Sequence, residues 1–312
     1  MTQQASFRVR VSDRRQIADN VIALELRQPS GEALPTQTPG AHIDVCLPDG
    51  DSRQYSLCGT DTWGIAALRE PDGRGGSAWI HEHVHVGDLL DVSGPRNHFE
   101  LTPAQRYIFI AGGIGITPIV AMIRRLESQG IHDWRLVYGG RTRTSMAFAD
   151  ELAMLGDRVT IVPQDESGLI DLDAALGTPQ FGTAIYSCGP EPLLKAMDRA
   201  CRSWPPGTHH VERFSALPVD TSGDSAFEVV AERSGVTVIV ERDMSILETL
   251  EGQGISVPSS CGEGVCGTCE TKVLEGDVVH RDAVLTEEER AQSLVMMICC
   301  SRAGGPRLVL DL

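Results

Sequence analysis

Three cysteines lie within one short stretch near the end of the chain, Pro258-Ser259-Ser260-Cys261-Gly262-Glu263-Gly264-Val265-Cys266-Gly267-Thr268-Cys269. Their spacing is C-x4-C-x2-C, and 29 residues separate Cys269 from Cys299. This is the plant-type spacing of [2Fe–2S] ligands, and thiolates suit iron because they are soft and anionic. The intervening glycines let the backbone fold tightly, so that its N–H groups can point at sulfur. The stretch therefore predicts an iron–sulfur cluster.

Other interpretations of these cysteines remain open at this point. Zinc sites also use C-x2-C, although they usually pair two such knuckles and this chain has one. Buried structural thiols are common, but they do not crowd into a Gly-rich loop. Spacing alone also leaves the fourth ligand ambiguous, because Cys300 directly follows Cys299.

The composition is that of a multidomain globular protein. A chain of 312 residues is too long for one compact core and predicts two or three domains. Its formal charge of −16 disfavours binding to nucleic acid or to an anionic membrane, because both would repel it. Residues 226–312 carry 15 acidic and 7 basic side chains, so half of the excess negative charge lies in this part of the chain.

The cysteine count and the N-terminus favour a cytoplasmic location. Nine cysteines, of which four are scattered along the chain, fit a disulfide framework poorly. The segment Met1–Arg10 has no apolar run, so we expect no secretory signal. No run approaches 18 uninterrupted apolar residues, so we also expect no membrane span.

The first hundred residues have the pattern of short strands. Three segments alternate apolar and polar residues or are rich in β-branched residues: Phe7–Val11, Val21–Leu26 and His42–Leu47. Clusters of Gly and Pro separate them. Such spacing predicts a small antiparallel barrel or sandwich, which we assign to residues 1–103.

Strands and helices alternate in the next hundred residues, which predicts a parallel sheet with crossover helices over residues 104–216. The predicted strands are Tyr107–Ala111, Arg135–Tyr138, Val159–Pro163 and Ala184–Cys188. The predicted helices are Pro118–Ser128, Phe148–Leu155 and Pro192–Cys201.

A polar stretch rich in turn residues, 217–225, is predicted to be a linker. Beyond it, Phe227–Glu232 and Val236–Arg242 are predicted to form a hairpin, and Ser245 with Glu248 has the capping-box pattern that opens a helix. Residues 226–312 are therefore assigned to a small α+β domain that carries the cysteine cluster.

A glycine turn joins the first strand of the middle domain to its first helix. It reads Ala111-Gly112-Gly113-Ile114-Gly115-Ile116-Thr117-Pro118, and we expect Thr117 to be the N-cap and Pro118 the first helical residue. Free N–H groups at such a helix start attract anions. The pattern is not G-x-G-x-x-G, and tight packing alone is an alternative explanation.

The turn becomes more informative together with Ser187-Cys188-Gly189-Pro190, which ends a later strand. The two motifs resemble the NAD(P)H domain of the ferredoxin–NADP reductase superfamily. That resemblance implies that Gly112, Gly113 and Gly115 lie at the phosphates of the dinucleotide, and that Cys188, Gly189 and Pro190 lie near its nicotinamide.

The cysteine-rich end of the chain resembles the C-terminal ferredoxin of the phthalate dioxygenase reductase family, which includes vanillate O-demethylase reductases. The resemblance covers the stretch Pro258–Cys269 and the tail from Leu274 through His280-Arg281-Asp282 to Cys299-Cys300-Ser301-Arg302-Ala303. It implies a β-grasp ferredoxin fold with Cys261, Cys266, Cys269 and Cys299 as ligands. It covers essentially the whole chain, in the order flavin, NAD, ferredoxin.

A flavin is expected on chemical grounds. A hydride donor and a one-electron centre cannot exchange electrons directly, whereas a flavin accepts a hydride and releases electrons singly. The candidate motif is Arg53-Gln54-Tyr55-Ser56, which resembles the R-x-Y-[ST] motif of the superfamily. By itself this pattern is also that of an ordinary amphipathic strand.

A second candidate for the flavin is the turn Gly73-Arg74-Gly75-Gly76-Ser77, which could bind an anion or simply join a hairpin. In the phthalate dioxygenase reductase family this stretch holds the FMN phosphate, which favours FMN over FAD. The resemblance places further residues at the flavin: Arg53, Gln54, Tyr55, Ser56, Ala66, Ala67, Leu68, Arg74, Gly75, Gly76, Ser77, Thr117 and Phe214. Ser56, Thr117 and Cys188 are expected to set the geometry of hydride transfer. Ser215 replaces a glycine that family members often have.

The choice between NADH and NADPH depends on Arg141 and Arg143, which follow the second strand of the middle domain. They could bind a 2′-phosphate, or they could be solvated loop residues. The family mostly uses NADH, so we expect NADH.

The whole pattern predicts an NADH:acceptor oxidoreductase, the reductase component of a multicomponent Rieske oxygenase system. Its cofactors would be FMN, NADH and a [2Fe–2S] cluster, and its partner a terminal Rieske-type oxygenase. We expect a monomer that binds neither nucleic acid nor membranes. The alternative is an iron–sulfur carrier or redox sensor without NADH oxidation, which would need only the cysteine cluster.

Overall fold

The computed structural model describes residues 5–59, 62–71, 73–216 and 218–312. The chain divides into two compact units, Met1–Arg213 and Phe214–Leu312. The first four residues of the predicted barrel domain and Leu217 of the predicted linker lie outside the described residues. The boundaries at 103, 216 and 225 stay predictions.

An antiparallel β-barrel opens the first unit and confirms the predicted class. Its strands run in the order β4-β3-β6-β1-β2-β5, and the bridge between Leu57 and Ile65 joins the two ends of the sheet. Alternate residues of the strands fill the interior, as Val9, Val11 and Ile43 do. The elements are β1 (Ser6–Ala18), β2 (Val21–Arg27), β3 (His42–Cys46), β4 (Ser52–Ser56), β5 (Trp63–Leu68), α1 (Gly76–His83) and β6 (Leu89–Arg96).

The predicted parallel sheet follows, with the strand order β11-β10-β7-β8-β9 and every pair parallel. The central strands β7 and β10 are apolar and buried along their length, as strands covered on both faces require. The elements are β7 (Arg106–Gly112), α2 (Ile116–Ser128), β8 (Trp134–Gly140), α3 (Ala149–Ala153), β9 (Val159–Pro163), α4 (Gln164–Ser167), α5 (Leu172–Leu176), β10 (Thr183–Cys188), α6 (Glu191–Ala200) and β11 (His209–Glu212).

The start of α2 differs from the prediction. A short 3-10 turn, Gly113–Gly115, leads directly into the helix, which begins at Ile116. Thr117 is therefore inside the helix and is not its N-cap, and its hydroxyl donates to the carbonyl oxygen of Ile114 at 3.0 Å. The reason is that the turn packs too tightly against a neighbouring loop for an extended capping residue to fit.

One continuous core joins the barrel to the parallel sheet within the first unit. Val21, Cys58 and Ala66 of the barrel pack in the same cluster as Ile116 and Ile119 of α2. The backbone N–H of Asp19 also donates to the carbonyl of Thr144 at 2.8 Å. The apolar core is therefore continuous from the barrel to the parallel sheet.

The second unit has the predicted α+β fold, with a mixed sheet in the order β13-β12-β18-β14-β16 and α7 packed on it. The hairpin β12–β13 is confirmed, and so is the capping box of Ser245 and Glu248 at the start of α7. The elements are β12 (Phe227–Ala231), β13 (Val236–Val240), α7 (Ile246–Glu251), β14 (Glu270–Glu275), β15 (Val278–Val279), α8 (Glu287–Gln292), β16 (Val295–Met297), β17 (Arg302–Ala303) and β18 (Arg307–Leu310).

A buried cluster of ion pairs connects Asp224, near the start of this unit, to the tail that carries Cys299. Asp224 accepts hydrogen bonds from both terminal nitrogens of Arg281 and lies 3.6 Å from Nε of Arg302. Arg302 also lies 4.8 Å above the ring of Phe227. The hydrogen bond from Arg281 lowers the pKa of Asp224. Because the backbone N–H of Arg281 donates to Oγ of Ser301, the same cluster of ion pairs also holds the segment next to Cys299.

Among the described helices, none has the length and apolar character needed to cross a membrane.

Candidate redox site

Two glycine loops meet at the carboxyl ends of β7 and β10. A β carbon on Gly115 would lie 2.4 Å from the carbonyl carbon and oxygen of Cys188, and one on Gly112 would lie 2.7 Å from Cδ of Pro190. Neither position can carry a side chain without moving backbone. The predicted nucleotide residues Gly112, Gly113, Gly115, Cys188, Gly189 and Pro190 are thus brought together.

The meeting point of these loops is where an open α/β sheet binds ligands. Strands β8 and β9 lie on one side of β7, and β10 and β11 lie on the other, so the strand order reverses between β7 and β10. Gly113 has a φ of 54° and open space where a side chain would stand. A 3-10 turn begins at Gly113 and leads directly into the N-terminus of α2, whose dipole favours an anion here. The loop therefore fits the pyrophosphate of a dinucleotide.

Glu212 is a member of this site whose role the sequence analysis missed. It pairs with Cys188 across the parallel strands β10 and β11. Burial raises its pKa to about 8, and its Oε2 is buried with no hydrogen-bond partner among the described residues. Burial and the nearby Glu212 also raise the pKa of Cys188, so this thiol stays neutral. In sequence, Glu212 lies two residues before the predicted flavin residue Phe214, and nothing local marks it as buried.

The Gly73–Ser77 turn opens α1 and is not part of a hairpin. Gly75 precedes the helix with a φ of 80° and forms no side-chain cap, which leaves the first N–H groups of the helix available. Arg53 of β4 lies on this helix start, because its Nη2 donates to the carbonyl of Arg74 at 3.1 Å. A β carbon on Gly76 would lie 2.6 Å from Cγ of Arg53. Guanidinium and helix N-terminus together fit a phosphate group.

The remaining residues of the R-x-Y-S motif divide between the two faces of β4. Arg53 and Tyr55 share one face, and burial raises the pKa of Tyr55 to about 12. Gln54 points the other way and donates to Oδ1 of Asp44 at 2.7 Å. Ser56 is buried at the end of the strand. The predicted flavin contacts of Tyr55 and Ser56 remain predictions, as does that of Gln54, whose amide is already bonded.

The three predicted flavin residues of β5 also alternate. Ala66 and Leu68 pack with the core that includes α2, whereas Ala67 packs into the barrel interior. Strand β5 lies against the Gly113–Gly115 turn, and Thr117 is buried in the first turn of α2. The side chains of Ala66 and Leu68, rather than that of Ala67, therefore face the nucleotide half.

Ser77, a further predicted flavin residue, lies in α1. Its hydroxyl accepts a hydrogen bond from the backbone N–H of Glu70 at 3.0 Å.

Phe214 is the first residue of the second unit and is 42% exposed. Its predicted contact with the flavin remains a prediction.

The four predicted thiols lie together in the second unit. Hydrogen bonds from Cys266 and Cys299 lower the pKa of Cys261 far below that of an ordinary thiol. Cys299 also bonds to Cys269, so it reaches two of the other three sulfurs. Among the described residues, no group of three or more His, Cys, Asp or Glu side chains is arranged around a single ion. The four thiols form a compact set of soft donors, which fits an iron–sulfur cluster.

The backbone around these thiols supports the same interpretation. The N–H groups of Glu263 and Val265 point at Sγ of Cys261, at 3.3 and 3.5 Å. Gly262 and Gly264 have φ values of 69° and 72°, which L side chains rarely adopt. Cys300 bonds to Cys299, and its sulfur donates to the carbonyl of Met297 at 3.7 Å. The arrangement therefore favours Cys299 over Cys300 as the fourth ligand.

The two arginines considered for a 2′-phosphate are exposed in the loop after β8. Arg143 donates to Oδ1 of Asp150 at 2.9 Å. The carbonyl of Arg141 accepts from the backbone of Asp165, which brings a second acidic residue to the loop. The carboxylate of Asp150 opposes a further negative charge at Arg143.

Comparison with known proteins agrees with this geometry. Residues 229–304 match the 2Fe-2S iron-sulfur cluster binding domain, and residues 109–199 match the oxidoreductase NAD-binding domain. The chain is 44% identical over 317 residues to a putative toluene-4-sulfonate monooxygenase system reductase subunit of Comamonas testosteroni, with 99% of each chain covered.

Solved structures extend the comparison to the fold. Phthalate dioxygenase reductase, described as a modular structure for electron transfer from pyridine nucleotides to [2Fe–2S], shares 35% identity and superposes with a TM-score of 0.72, covering 99% of this chain and 98% of that one. An intact type IV self-sufficient cytochrome P450 monooxygenase superposes with a TM-score of 0.92 at 47% identity. That match covers 98% of this chain and 41% of the larger protein.

The arrangement of the thiols predicts different outcomes for two adjacent cysteines. Cys299→Ala should lose most of the iron, because Cys299 contacts two other thiols of the set. Cys300→Ala, the matched control, should keep about two irons per chain. Iron and acid-labile sulfide analysis with the visible spectrum measures both, and the reverse pattern would show that Cys300 is the ligand.

The buried carboxyl of Glu212 predicts a pH-dependent stability. A pKa raised in the folded state to about 8, from 4.5, means that folding disfavours the charged form. The stability cost is absent below about pH 4.5, grows as the pH rises and is complete above about pH 8. Glu212→Gln should therefore unfold like the wild type near pH 5 and be more stable near pH 8, by on the order of 3 kcal/mol.

Urea unfolding followed by tryptophan fluorescence at both pH values measures this difference. Glu32→Gln, at an exposed loop position, is the control and should show no such pH dependence. Equal stability of Glu212→Gln and the wild type near pH 8 would mean that the Glu212 carboxyl is not held neutral by burial.

Proposed function

The chain belongs to the phthalate dioxygenase reductase family, and on that premise we propose that it is the NADH-oxidising reductase component of a Rieske oxygenase system. It takes a hydride from NADH onto FMN and passes single electrons through a [2Fe–2S] cluster to a separate oxygenase. One observation carries the proposal: a single chain holds the paired glycine loops, the Arg53 phosphate site and the set of four thiols formed by the loop 261–269 and Cys299. An electron carrier or redox sensor would need only the last.

The residues of the first unit act by binding and orienting. The N–H groups behind Gly113 would hold the dinucleotide phosphates, and Cys188 would lie beside the nicotinamide. Ser56 and Thr117 would set the flavin in line with it. Because burial raises the pKa of Cys188, its thiol is a neutral contact and does not carry a proton to or from the substrate. Glu212 extends this set as a buried acid next to Cys188.

FMN is the flavin that the phosphate site supports. The guanidinium of Arg53 and the start of α1 hold one terminal phosphate, as a mononucleotide requires. When bound, FMN supplies the conversion between a two-electron and a one-electron carrier. NADH is the proposed donor, because the guanidinium of Arg143 is already paired with Asp150.

The partner is proposed to be a terminal Rieske-type oxygenase, in keeping with the relatives that are reductase subunits of oxygenase systems. The similarity to part of a fused cytochrome P450 gives a second candidate partner, a haem monooxygenase. The full-length match to separate reductase subunits favours a partner on another chain. We propose in addition that the protein is a cytoplasmic monomer.

Anaerobic titration with NADH tests the core of this proposal. NADH should bleach the flavin absorbance and then produce the electron paramagnetic resonance signal of a reduced [2Fe–2S] cluster. In Cys299→Ala the flavin should still be reduced while the cluster signal is lost. Acid release should yield FMN.

Each alternative predicts a distinct result in the same experiment. If the flavin stays oxidised when NADH is added, the reductase function is wrong and only the carrier or sensor function remains. Release of FAD would correct the flavin assignment alone, and zinc in place of iron would remove the electron-transfer function of the second unit.

The acidic second unit predicts a basic docking surface on the oxygenase. Exposed Glu287 and Glu288 begin α8, close in sequence to Leu294, which is 59% exposed. Opposite charges steer association, and salt screens them. The rate of electron transfer to the oxygenase should fall about tenfold between roughly 50 mM and 500 mM salt. Stopped-flow mixing of the reduced protein with the oxygenase measures it.

A charge reversal sharpens this test. The double variant Glu287→Lys and Glu288→Lys should lower the same rate at low salt, while Glu32→Lys in the first unit should not. Reduction of the flavin by NADH should be unchanged in both variants. If the rate of electron transfer to the oxygenase changes neither with salt nor in either variant, the acidic side chains of the second unit contribute only to solubility.

A further inference from the structure

We infer that Arg124 is a positioning residue for hydride transfer, because it fastens the flavin-bearing strands of the barrel to the helix that carries the nucleotide turn. The inference rests on the proposed function. In that reaction, the hydride leaves C4 of the nicotinamide with its bonding electron pair and bonds to N5 of the flavin. NADH is oxidised by two electrons and the flavin is reduced by two.

The guanidinium of Arg124 is fully engaged between the two halves of the first unit. Its Nη1 donates to the carbonyl oxygen of Cys58 in the barrel. Its Nε and Nη2 donate to the carboxylate of Glu151 in α3, at 2.9, 2.6 and 2.8 Å. The paired geometry on Glu151 fixes the plane of the guanidinium, and this aims Nη1 at the barrel.

Cys58 is connected to both strands that are proposed to hold the flavin, β4 and β5. It follows Ser56, the last residue of β4, by two positions, and its N–H donates to the carbonyl of Gly64 in β5 at 2.8 Å. The adjacent bridge between Leu57 and Ile65 closes the barrel. The bond from Arg124 therefore holds the seam between β4 and β5, the two strands proposed to hold the flavin.

The other end of the connection is the nucleotide turn. Arg124 lies on α2, whose first turn contains Thr117 and follows directly on Gly113–Gly115. Seven residues of helix, about 10 Å, separate Thr117 from Arg124. Buried Ile119, Val120 and Ile123 hold this length of helix in the core. A rigid helix thus links the dinucleotide phosphates to the clamp on the barrel.

The backbone conformation of Phe148 indicates that the residues around Arg124 are held in one arrangement. It has a φ of 61°, which a bulky residue adopts only where its neighbours hold it there. Its ring packs against the shared core and lies 5.4 Å from Cζ of Arg124. Its carbonyl accepts the first helical bond of α3, the helix that presents Glu151. The strained residue therefore fixes the partner that orients Arg124.

Hydride transfer is the step that such a clamp would affect most. The reacting carbon and nitrogen must approach to about 3–3.5 Å, and a shift of about 1 Å can cost a hundredfold in rate. The two cofactors are proposed to sit on different sheets, so their spacing depends on how firmly barrel and parallel sheet are joined. Removal of Arg124 would loosen that joint and leave both binding sites intact.

The test compares Arg124→Ala with Arg125→Ala on the same helix, in full-length protein loaded with FMN and cluster. Anaerobic stopped-flow mixing with NADH should show flavin reduction slowed about tenfold or more in Arg124→Ala. The dissociation constant for NADH and the FMN content should stay within about twofold of the wild type. The long-wavelength charge-transfer absorbance of nicotinamide stacked on flavin should weaken, which a purely structural loss would not cause. Arg125→Ala should match the wild type in every readout.

Two further variants keep the test decisive if Arg124→Ala does not fold. Arg124→Lys keeps a donor to Cys58 but cannot pair with both oxygens of Glu151, so it should give an intermediate rate. Glu151→Gln removes the charge that orients the guanidinium and should slow flavin reduction by about threefold or more.

The outcomes separate this inference from the function on which it rests. If the wild type reduces its flavin with NADH while the Arg124 and Glu151 variants keep its rate and charge-transfer band, the positioning role is wrong and the proposed function stands. If the rate loss only tracks loss of FMN, the positioning role is also wrong. If the wild type is not reduced by NADH, both fall.

Discussion

The close contact between two glycine-containing loops is the constraint on which the first unit depends. Gly115 lies so close to the carbonyl of Cys188 that a single methyl group would push the strands β7 and β10 apart at their carboxyl ends. At this contact the 3-10 turn Gly113–Gly115 runs directly into α2. Cys188, which touches the turn, pairs with Glu212 of the neighbouring strand and so places Glu212 next to the two loops.

The chemistry of the molecule divides along the same lines as its fold. The first unit handles an electron pair, and its features suit the alignment of two cofactors: a core shared by barrel and parallel sheet, glycine loops that meet at the strand ends and the buried thiol of Cys188. The second unit handles single electrons, and its features are soft ligands, N–H groups aimed at sulfur and an acidic surface. Neither set of features is suited to the other task, which explains why one chain needs both.

Much of the fold and part of the site could be predicted from sequence, because short-range patterns carry them. The alternation in β1 and β2, the apolar run in β7 and the capping box at Ser245 each follow from local geometry. The helix after Gly75 and the start of α2 at Ile116 were missed, because packing against distant residues decides both. Gln54 and Ala67 lie in predicted flavin segments; Gln54 is bonded to Asp44 and Ala67 packs into the barrel interior, and their flavin contacts stay predictions. Glu212 was overlooked because an unpaired buried acid leaves no local signal.

The ion pairs of Asp224 with Arg281 and Arg302 fasten this part of the chain to the ferredoxin fold. Because the flavin and the cluster are held by the same chain, electron transfer between them is intramolecular. Electron flow from flavin to cluster is then first-order and indifferent to how dilute the protein is. Dilution acts only on the encounter with the oxygenase, which makes that encounter the step at which a cell sets the throughput by the amounts of the two proteins.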